Sequence, residues 1–235
     1  GMALAELDGL GSPDAGGWRP APASAFLLPA GEAALPALAE ATRVSAAAGS
    51  PPTVKWKVAA APDVLERRLL EALLAQLPAA GRLRLDANGG WDRATAQAWA
   101  QRLVADPRLD WLEQPLPPGD RAGLEALAHQ LPVALDESLR SPSGGELQGD
   151  WPGWWVRRPL LEGDPRALVA ALTAGTPRLM LSTALETGIG RRFLEHLAAL
   201  QQEGPTPTAP GLAPGWRPEG DLFAGDPARV WRAAA

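Results

Sequence analysis

Residues 82–86 read RLRLD, residues 110–113 read DWLE, and residues 133–136 read VALD. Each is a short apolar run that ends on a carboxylate, which is typical of a buried strand in a parallel sheet. Ala- and Leu-rich stretches of helical length lie between them. Alternating strands and helices of this kind predict βα units.

The same pattern extends over the rest of the chain. Further strands are predicted at residues 25–28, 53–58, 154–158, 179–182 and, most weakly, 209–212. Helices are predicted at residues 31–41, 62–77, 93–104, 122–130, 165–174 and 190–200, and the Gly-rich stretch 142–151 gives the poorest helix prediction. Eight strands with intervening helices in 235 residues indicate an α/β fold of the TIM-barrel type. An open doubly wound sheet is the alternative, but the sequence contains neither a dinucleotide-binding GxGxxG nor a P-loop motif.

Composition narrows the range of partners and compartments. The net charge is −5 without a basic block, so neither nucleic acid nor an anionic membrane is expected to bind, and a small-molecule substrate is predicted. No cysteine is present, which excludes disulfides and thiolate sites. Because the sequence also shows no membrane span or export signal, a cytoplasmic location is expected.

Most of the predicted strands end on a polar residue. These residues recur at intervals of 22 to 29 positions and are Lys57, Asp86, Glu113, Asp136, Arg158 and Ser182. In a barrel the carboxyl ends of all strands converge on one mouth. Three carboxylates gathered there would repel one another without a cation. The sequence therefore predicts Mg²⁺, or alternatively Mn²⁺, at Asp86, Glu113 and Asp136, and the two histidines inside predicted helices make a zinc site implausible.

Lys55 and Lys57 flank Trp56 on one predicted strand, so both ammonium groups lie on the same face. Like-charge repulsion is then expected to lower the pKa of each lysine, which would suit a general base. A metal and a base together indicate removal of a proton α to a carboxylate, with the metal stabilising the enediolate.

Longer strings around these residues resemble one family. They are KWK at 55–57, LRLDANGGW at 83–91, WLEQP at 111–115, ALDESLR at 134–140, LSTALETGIG at 181–190 and PGL at 210–212. In this order they resemble the o-succinylbenzoate synthases of the enolase superfamily, over about residues 25–212.

The resemblance implies a modified (β/α)7β barrel, a separate capping domain, and a Mg²⁺-dependent lyase of menaquinone or phylloquinone biosynthesis. Its substrate would be 2-succinyl-6-hydroxy-2,4-cyclohexadiene-1-carboxylate. Lys57 would then be the base, Lys55 would tune it, and Asp86, Glu113 and Asp136 would bind the metal. By the same resemblance the further site residues are Asn88 and Glu137 beside the metal ligands, and Ser182, Thr183, Gly188 and Gly211 around the succinyl carboxylate.

The sequence departs from the family at two places. Arg158 stands where the family usually has a lysine on the sixth strand, and a guanidinium cannot act as a base. It could instead stabilise an anionic intermediate, contact the ring of the substrate, or form a structural ion pair with one of the carboxylates. At the N-terminus, residues 1–22 are interpreted as the remnant of the linker between cap and barrel, and residues 23–235 as the barrel without a complete cap.

Alternative interpretations remain open at this point. A related lyase or isomerase, such as an N-succinylamino acid racemase or a muconate cycloisomerase, would use the same ligands. A truncated barrel that binds metal without catalysis is the alternative from another class. Ser182 could also serve only as a cap at a strand end.

Overall fold

A computed structural model describes residues 17–140 and 151–235 of the chain. Its strands are β1 (Phe26–Leu28), β2 (Thr53–Lys57), β3 (Arg82–Asp86), β4 (Leu109–Glu113), β5 (Val133–Leu135), β6 (Trp154–Arg157) and β7 (Leu179–Leu181). Its α-helices are α1 (Ala34–Ala47), α2 (Asp63–Gln76), α3 (Arg93–Leu103), α4 (Arg121–Ala128), α5 (Glu137–Arg140), α6 (Arg166–Thr173), α7 (Gly188–Glu203) and α8 (Pro227–Ala234). Short 3-10 helices lie at Gly31–Ala33, Pro214–Trp216 and Asp221–Phe223.

The strands are neighbours in the order in which they occur along the chain, β1 to β7. Every pair from β1–β2 to β5–β6 is parallel. Parallel neighbours require a crossover connection, and the helices between the strands provide it. The chain divides into two compact units, one of Ala25–Trp155 and one formed by the residues on either side of it.

The core of the Ala25–Trp155 unit explains why the strand sequences are so apolar. In β2 the burial alternates: Val54 and Trp56 are fully buried, and the other three residues of the strand are partly buried. Trp56 packs against Trp99 of α3, whose ring stacks on Trp91 at a centroid distance of 4.9 Å. Burying three indoles contributes a large share of the hydrophobic stabilisation of a unit of this size. Trp56 therefore faces the helices, and the two lysines face the other side of the sheet, as predicted.

Helix starts in this unit follow local sequence signals. Asp92 caps α3 by accepting a hydrogen bond from the Thr95 N–H, and Asp120 caps α4 by accepting one from the Gly123 N–H. Aspartate is among the preferred N-cap residues because its carboxylate pairs with N–H groups that have no partner inside the helix. These caps fix where the loops after β3 and β4 end.

The second unit contains β7 and helices α6, α7 and α8 among its described residues, 17–24 and 156–235. Next to β7, the Ser182 N–H donates to the Arg157 carbonyl of β6, and Ser182 forms an isolated parallel bridge with Gly211. The Ser24 hydroxyl donates to the Pro210 carbonyl at 2.9 Å and accepts from the Leu212 N–H at 3.0 Å. Residues 17–24 are thereby attached to the segment after α7.

Three expectations from the sequence need correction. The eighth strand predicted at 209–212 is only the bridge at Gly211, because Pro210 has no N–H and cannot take part in a regular ladder. The first helix begins and ends later than predicted, at Ala34 and Ala47, and it stops just before Gly49, which has a φ of 70°. Helices α5 and α8 were not predicted. The proposed helix at 142–151 falls almost entirely outside the described residues, as does most of the linker remnant at 1–22.

No α-helix in the described parts of the chain is both long and apolar enough to cross a membrane.

Candidate active site

The register of three strands brings the predicted base next to two of the predicted metal ligands. Lys57 of β2 is the partner of Asp86 in β3, and Asp86 is the partner of Glu113 in β4. Partners in register share a face of the sheet, so the three side chains are neighbours at the carboxyl ends of their strands. Both carboxylates are fully buried. The candidate site therefore lies at the carboxyl ends of the strands, which is where barrel enzymes have their active sites.

Lys55 lies between the two carboxylates. Its Nζ is 2.9 Å from Asp86 Oδ2 and 3.0 Å from Glu113 Oε1, and its side chain is 12% exposed. Burial alone would lower the pKa of this lysine, but the charges of Glu113 and Asp86 outweigh burial and raise it. The expectation that repulsion by Lys57 lowers the pKa of Lys55 is therefore wrong, because attraction by the Glu113 and Asp86 carboxylates raises it.

The two carboxyl groups respond differently to the same surroundings. Burial acts to raise the pKa of Asp86, yet Lys55 and Lys57 together lower it to about 2. Burial raises the pKa of Glu113 to about 7, because only Lys55 pairs with it while Asp86 and Asp136 repel its negative form. The nearby positive charge is thus sufficient to keep Asp86 ionised, but it is insufficient to offset the burial of Glu113.

The raised pKa of Glu113 predicts a pH-dependent stability in the absence of divalent ions. Between pH 4.5 and about 7 the folded chain holds a proton on Glu113 that the unfolded chain has released. The stability contributed by this group is complete below pH 4.5 and is lost as the pH rises through about 7. Urea unfolding in EDTA across this range should show the decline.

The control for this experiment is Glu113→Gln, which carries no titrating proton at this position. His196, whose pKa is lowered by burial, contributes a slope of opposite sign in both proteins, so the difference between the two curves isolates Glu113. Parallel curves for the two proteins would contradict the assignment.

Lys57 belongs to a hydrogen-bonded chain that reaches the next carboxylate. Its Nζ is 2.6 Å from Asp86 Oδ2 and 2.6 Å from Asn88 Oδ1, and the Asn88 amide donates to Glu137 Oε1 at 3.0 Å. Asn88 has a left-handed φ of 46°, a conformation that asparagine tolerates better than most residues. The side chain of Lys57 remains 34% exposed, which leaves its amine accessible to a substrate. Asn88 thus lies beside Lys57, and Glu137 lies beside Asn88, while the function of both residues in the site stays a prediction.

Asp136 lies one residue beyond β5 and is 1% exposed. Arg140 contacts its Oδ1 at 3.4 Å and also contacts Glu137. Among residues 17–140 and 151–235, no three acidic or histidine side chains are already arranged as a set of metal ligands. Lys55 holds the position between Asp86 and Glu113, because an ammonium can neutralise buried carboxylates in place of a metal.

The donor chemistry nevertheless fits a divalent cation. Asp86, Glu113 and Asp136 are buried oxygen donors at the ends of three successive strands. The raised pKa of Glu113 shows that the lysines leave negative charge uncompensated. In the described residues Glu137 Oε2 is buried without a hydrogen-bond partner, which adds an unused acceptor next to Asn88.

Two buried side chains of this site were missed in the sequence. Glu66 of α2 is 1% exposed and accepts hydrogen bonds from the N–H groups of residues 59–61, which form the loop directly after Lys57. A glutamate in the first turn of a helix is a recognisable capping signal, so this contact could have been anticipated. Gln114, which directly follows Glu113, is fully buried and bonds to the Asp136 N–H. Nothing in its local sequence predicts this bond, because Asp136 lies 22 residues away.

The remaining predicted site residues lie in the second unit. The Arg158 guanidinium donates to the Thr183 carbonyl, and the Arg158 N–H donates to Glu162 at 2.7 Å. The Thr183 hydroxyl contacts Glu186 at 3.0 Å, and the Ser182 hydroxyl is 3.4 Å from the Gly211 carbonyl. This unit therefore brings together Arg158 with Thr183, and Ser182 with Gly211.

Gly188 has a packing role that the sequence did not indicate. A Cβ at this position would lie 1.8 Å from the Ala224 carbonyl oxygen, so only glycine allows the start of α7 to approach that segment. At Gly211 the nearest atom to a Cβ would be Ser182 Oγ at 3.1 Å. Contact of these glycines with a substrate remains a prediction.

Buried carboxylates next to a lysine at the carboxyl ends of parallel βα strands are typical of the active-site end of a barrel enzyme. Comparison with known proteins agrees with this class. Residues 37–145 match the family described as "Enolase C-terminal domain-like".

One curated relative and two solved structures illustrate the relationship. The o-succinylbenzoate synthase of Thermosynechococcus vestitus is 42% identical over 153 residues, which are 62% of this chain and 48% of that protein. The crystal structure of the o-succinylbenzoate synthase from Thermosynechococcus elongatus BP-1, with Mg in its active site, is 36% identical with a TM-score of 0.74, over 92% of this chain and 68% of that one. Muconate cycloisomerase from Pseudomonas fluorescens is 26% identical with a TM-score of 0.63, over 79% of this chain and 52% of that one.

The chain belongs to the enolase superfamily, within which its similarity to o-succinylbenzoate synthases is extensive. The predicted α/β barrel fold of that superfamily is thereby confirmed. The chain spans about half the length of the first of these relatives.

Proposed function

We propose that this chain is the barrel part of an o-succinylbenzoate synthase. The reaction would be the Mg²⁺-dependent dehydration of 2-succinyl-6-hydroxy-2,4-cyclohexadiene-1-carboxylate, a step of menaquinone or phylloquinone biosynthesis. The observation that carries the proposal is the placement of Lys57 in register with Asp86 and Glu113, with its Nζ held by Asp86 and Asn88. The o-succinylbenzoate synthases among its relatives support the choice of reaction.

Lys57 would move one proton in this reaction. As a neutral amine it takes the proton from the ring carbon that bears the carboxylate. The electrons of that C–H bond pass first onto the substrate carboxylate, which gives an anionic intermediate. They then form the new ring double bond, while the electrons of the neighbouring C–O bond leave with the hydroxyl oxygen. The Lys57 ammonium returns the proton to that oxygen, which departs as water, so atoms and charge balance.

The other residues of the proposed site would bind the metal, orient the Lys57 amine and bind the substrate. Asp86, Glu113 and Asp136 would bind Mg²⁺, which supplies positive charge next to the substrate carboxylate. Asn88 fixes the position of the Lys57 amine through their hydrogen bond. Ser182, Thr183 and the backbone at Gly188 and Gly211 are proposed to bind the succinyl carboxylate.

Arg158 favours a dehydration over a racemisation. A racemase needs one base on each face of its substrate, and a guanidinium stays protonated at any ordinary pH. Syn elimination needs only one base, and Lys57 provides it. Arg158, held by its bond to the Thr183 carbonyl, is proposed to stabilise the anionic intermediate.

We further propose that the protein works in the cytoplasm on a small carboxylate substrate, and that residues 23–235 form its barrel domain.

An assay decides between these functions. The purified chain, and the longest open reading frame that contains it, are incubated with Mg²⁺ and the cyclohexadiene substrate, and the aromatic product is followed by its absorbance. The same samples are offered an N-succinylamino acid and cis,cis-muconate. Turnover of the first substrate alone is expected. Turnover of one of the others in its place would identify a racemase or cycloisomerase, and Mg²⁺ binding without any turnover would identify a non-catalytic barrel.

A further inference from the structure

We propose that Gln114 is a positioning residue that holds Asp136 in place relative to Glu113, so that the three carboxylates can share one divalent ion. The inference rests on the proposed metal site and assigns a function to a residue that does not itself contact the ion.

The Gln114 side chain uses all of its hydrogen-bonding capacity. Its Oε1 accepts from the Asp136 N–H at 3.2 Å and from the Ser138 N–H at 3.0 Å. Its Nε2 donates to the Leu116 carbonyl at 2.9 Å and to the Ser138 hydroxyl at 2.8 Å. An amide offers two donors and two acceptor sites, so this buried group is fully satisfied. Glutamate could not replace it, because an ionised carboxylate has no donor for the Leu116 and Ser138 oxygens.

The backbone of Gln114 forms hydrogen bonds with β5 on one side and with the loop after β3 on the other. Its N–H donates to the Ala134 carbonyl of β5 at 2.8 Å, and its carbonyl accepts from the Gly89 N–H after β3 at 2.7 Å. Its φ of 39° is left-handed, which costs free energy for a residue other than glycine. The surrounding bonds hold this conformation, so the residue after Glu113 is fixed by contacts with both neighbouring strands.

These contacts link the backbones that carry the three acids. Glu113 precedes Gln114 in the chain. The Asp136 N–H forms a hydrogen bond with the Gln114 side chain, and the loop after Asp86 forms one with the Gln114 carbonyl. Carboxylates that share an ion must keep their spacing within a few tenths of an ångström. We therefore expect loss of the Gln114 amide to loosen Asp136 and to weaken ion binding more than it weakens the fold.

The experiment compares two buried glutamines. Gln114→Met preserves volume and removes the amide. The control is Gln201→Met, because Gln201 is 1% exposed and its amide donates to the Leu179 carbonyl in the other unit. Binding of Mn²⁺ is measured by electron paramagnetic resonance, and thermal unfolding is measured in EDTA. For Gln114→Met we expect the Mn²⁺ dissociation constant to rise about 10- to 100-fold, the usual effect of removing a group that supports a ligand. For Gln201→Met it should stay unchanged, while both proteins lose thermal stability.

The outcomes separate this inference from the metal site itself. If the unsubstituted chain does not bind Mn²⁺, the metal site is wrong and the inference falls with it. If the unsubstituted chain binds Mn²⁺ and Gln114→Met binds it equally well, the metal site stands and the positioning function is wrong. If Gln114→Met does not fold, Ser138→Ala decides, because it removes one bond to the same amide, with Ser45→Ala as the buried control. A severalfold weaker Mn²⁺ affinity for Ser138→Ala alone supports the inference, and equal affinities overturn it.

Discussion

Replacing Lys57 by alanine is expected to abolish turnover of the cyclohexadiene substrate while leaving divalent-ion binding intact. A positioned general base contributes about 10² to 10⁴ in rate, so kcat should fall by at least about a hundredfold. The Lys57 amine is the base in the proposed reaction, whereas the proposed metal ligands are three carboxylates that remain in the variant. Steady-state kinetics with Mg²⁺ and a Mn²⁺ binding curve measure the two properties separately.

Two further measurements test the interpretation of this result. Lys57→Arg keeps a cation beside Asp86 but cannot accept a proton, so it should be as inactive as Lys57→Ala. Adding a small primary amine to Lys57→Ala should restore part of the rate, because it replaces the missing base. Full activity in either variant would remove Lys57 from the role of base.

Replacing Lys55 by methionine is expected to cause the largest loss of stability. The substitution leaves Asp86 and Glu113 buried without the ammonium that both contact at 2.9–3.0 Å. Breaking a buried ion pair by removing one partner costs about 3–5 kcal/mol. In EDTA the free energy of unfolding should fall by about this amount, and Mg²⁺ should recover part of it by supplying positive charge to the same carboxylates. Urea unfolding with and without Mg²⁺ is the measurement.

The double variant Lys55→Met with Glu113→Gln sharpens this prediction. Removing a carboxylate together with the lysine should restore much of the lost stability, because less unpaired charge remains buried. Arg43→Met, which breaks an exposed pair with Glu40 on α1, should change stability little. Equal effects of Lys55→Met and Arg43→Met would contradict the role given to Lys55.

Lys55 and Lys57 are the only two lysines among the 235 residues, and both belong to the site. In Lys57→Ala, isotope labelling of the lysine side chains therefore gives an NMR signal from Lys55 alone. Its titration checks directly whether the pKa of Lys55 is raised.

Strand positions could be read from the sequence because parallel strands buried on both faces leave continuous apolar runs. The predicted third strand, residues 82–86, has the observed bounds of β3, and the other six differ by one residue at an end. The polar residue at the end of each run indicated which groups would meet, since neighbouring strands align their carboxyl ends. The eighth strand was predicted wrongly because the missing N–H of Pro210 was not taken into account. Helix α8 was not predicted; it has only eight residues, and its Trp231 is exposed.

The sequence by itself determined which groups can do chemistry here: two lysines on one face of a strand and three acids at the ends of others. The tertiary structure decided how those groups are charged. Lys55 is only two positions from Lys57 in the chain. Asp86 and Glu113 are 31 and 58 positions from Lys55, yet both form hydrogen bonds with it. A sequence shows the near repulsion and hides the distant attraction, because the energy between two charges depends on their separation in space and on their burial. For the same reason the bond between Gln114 and Asp136 became visible only when β4 and β5 were side by side.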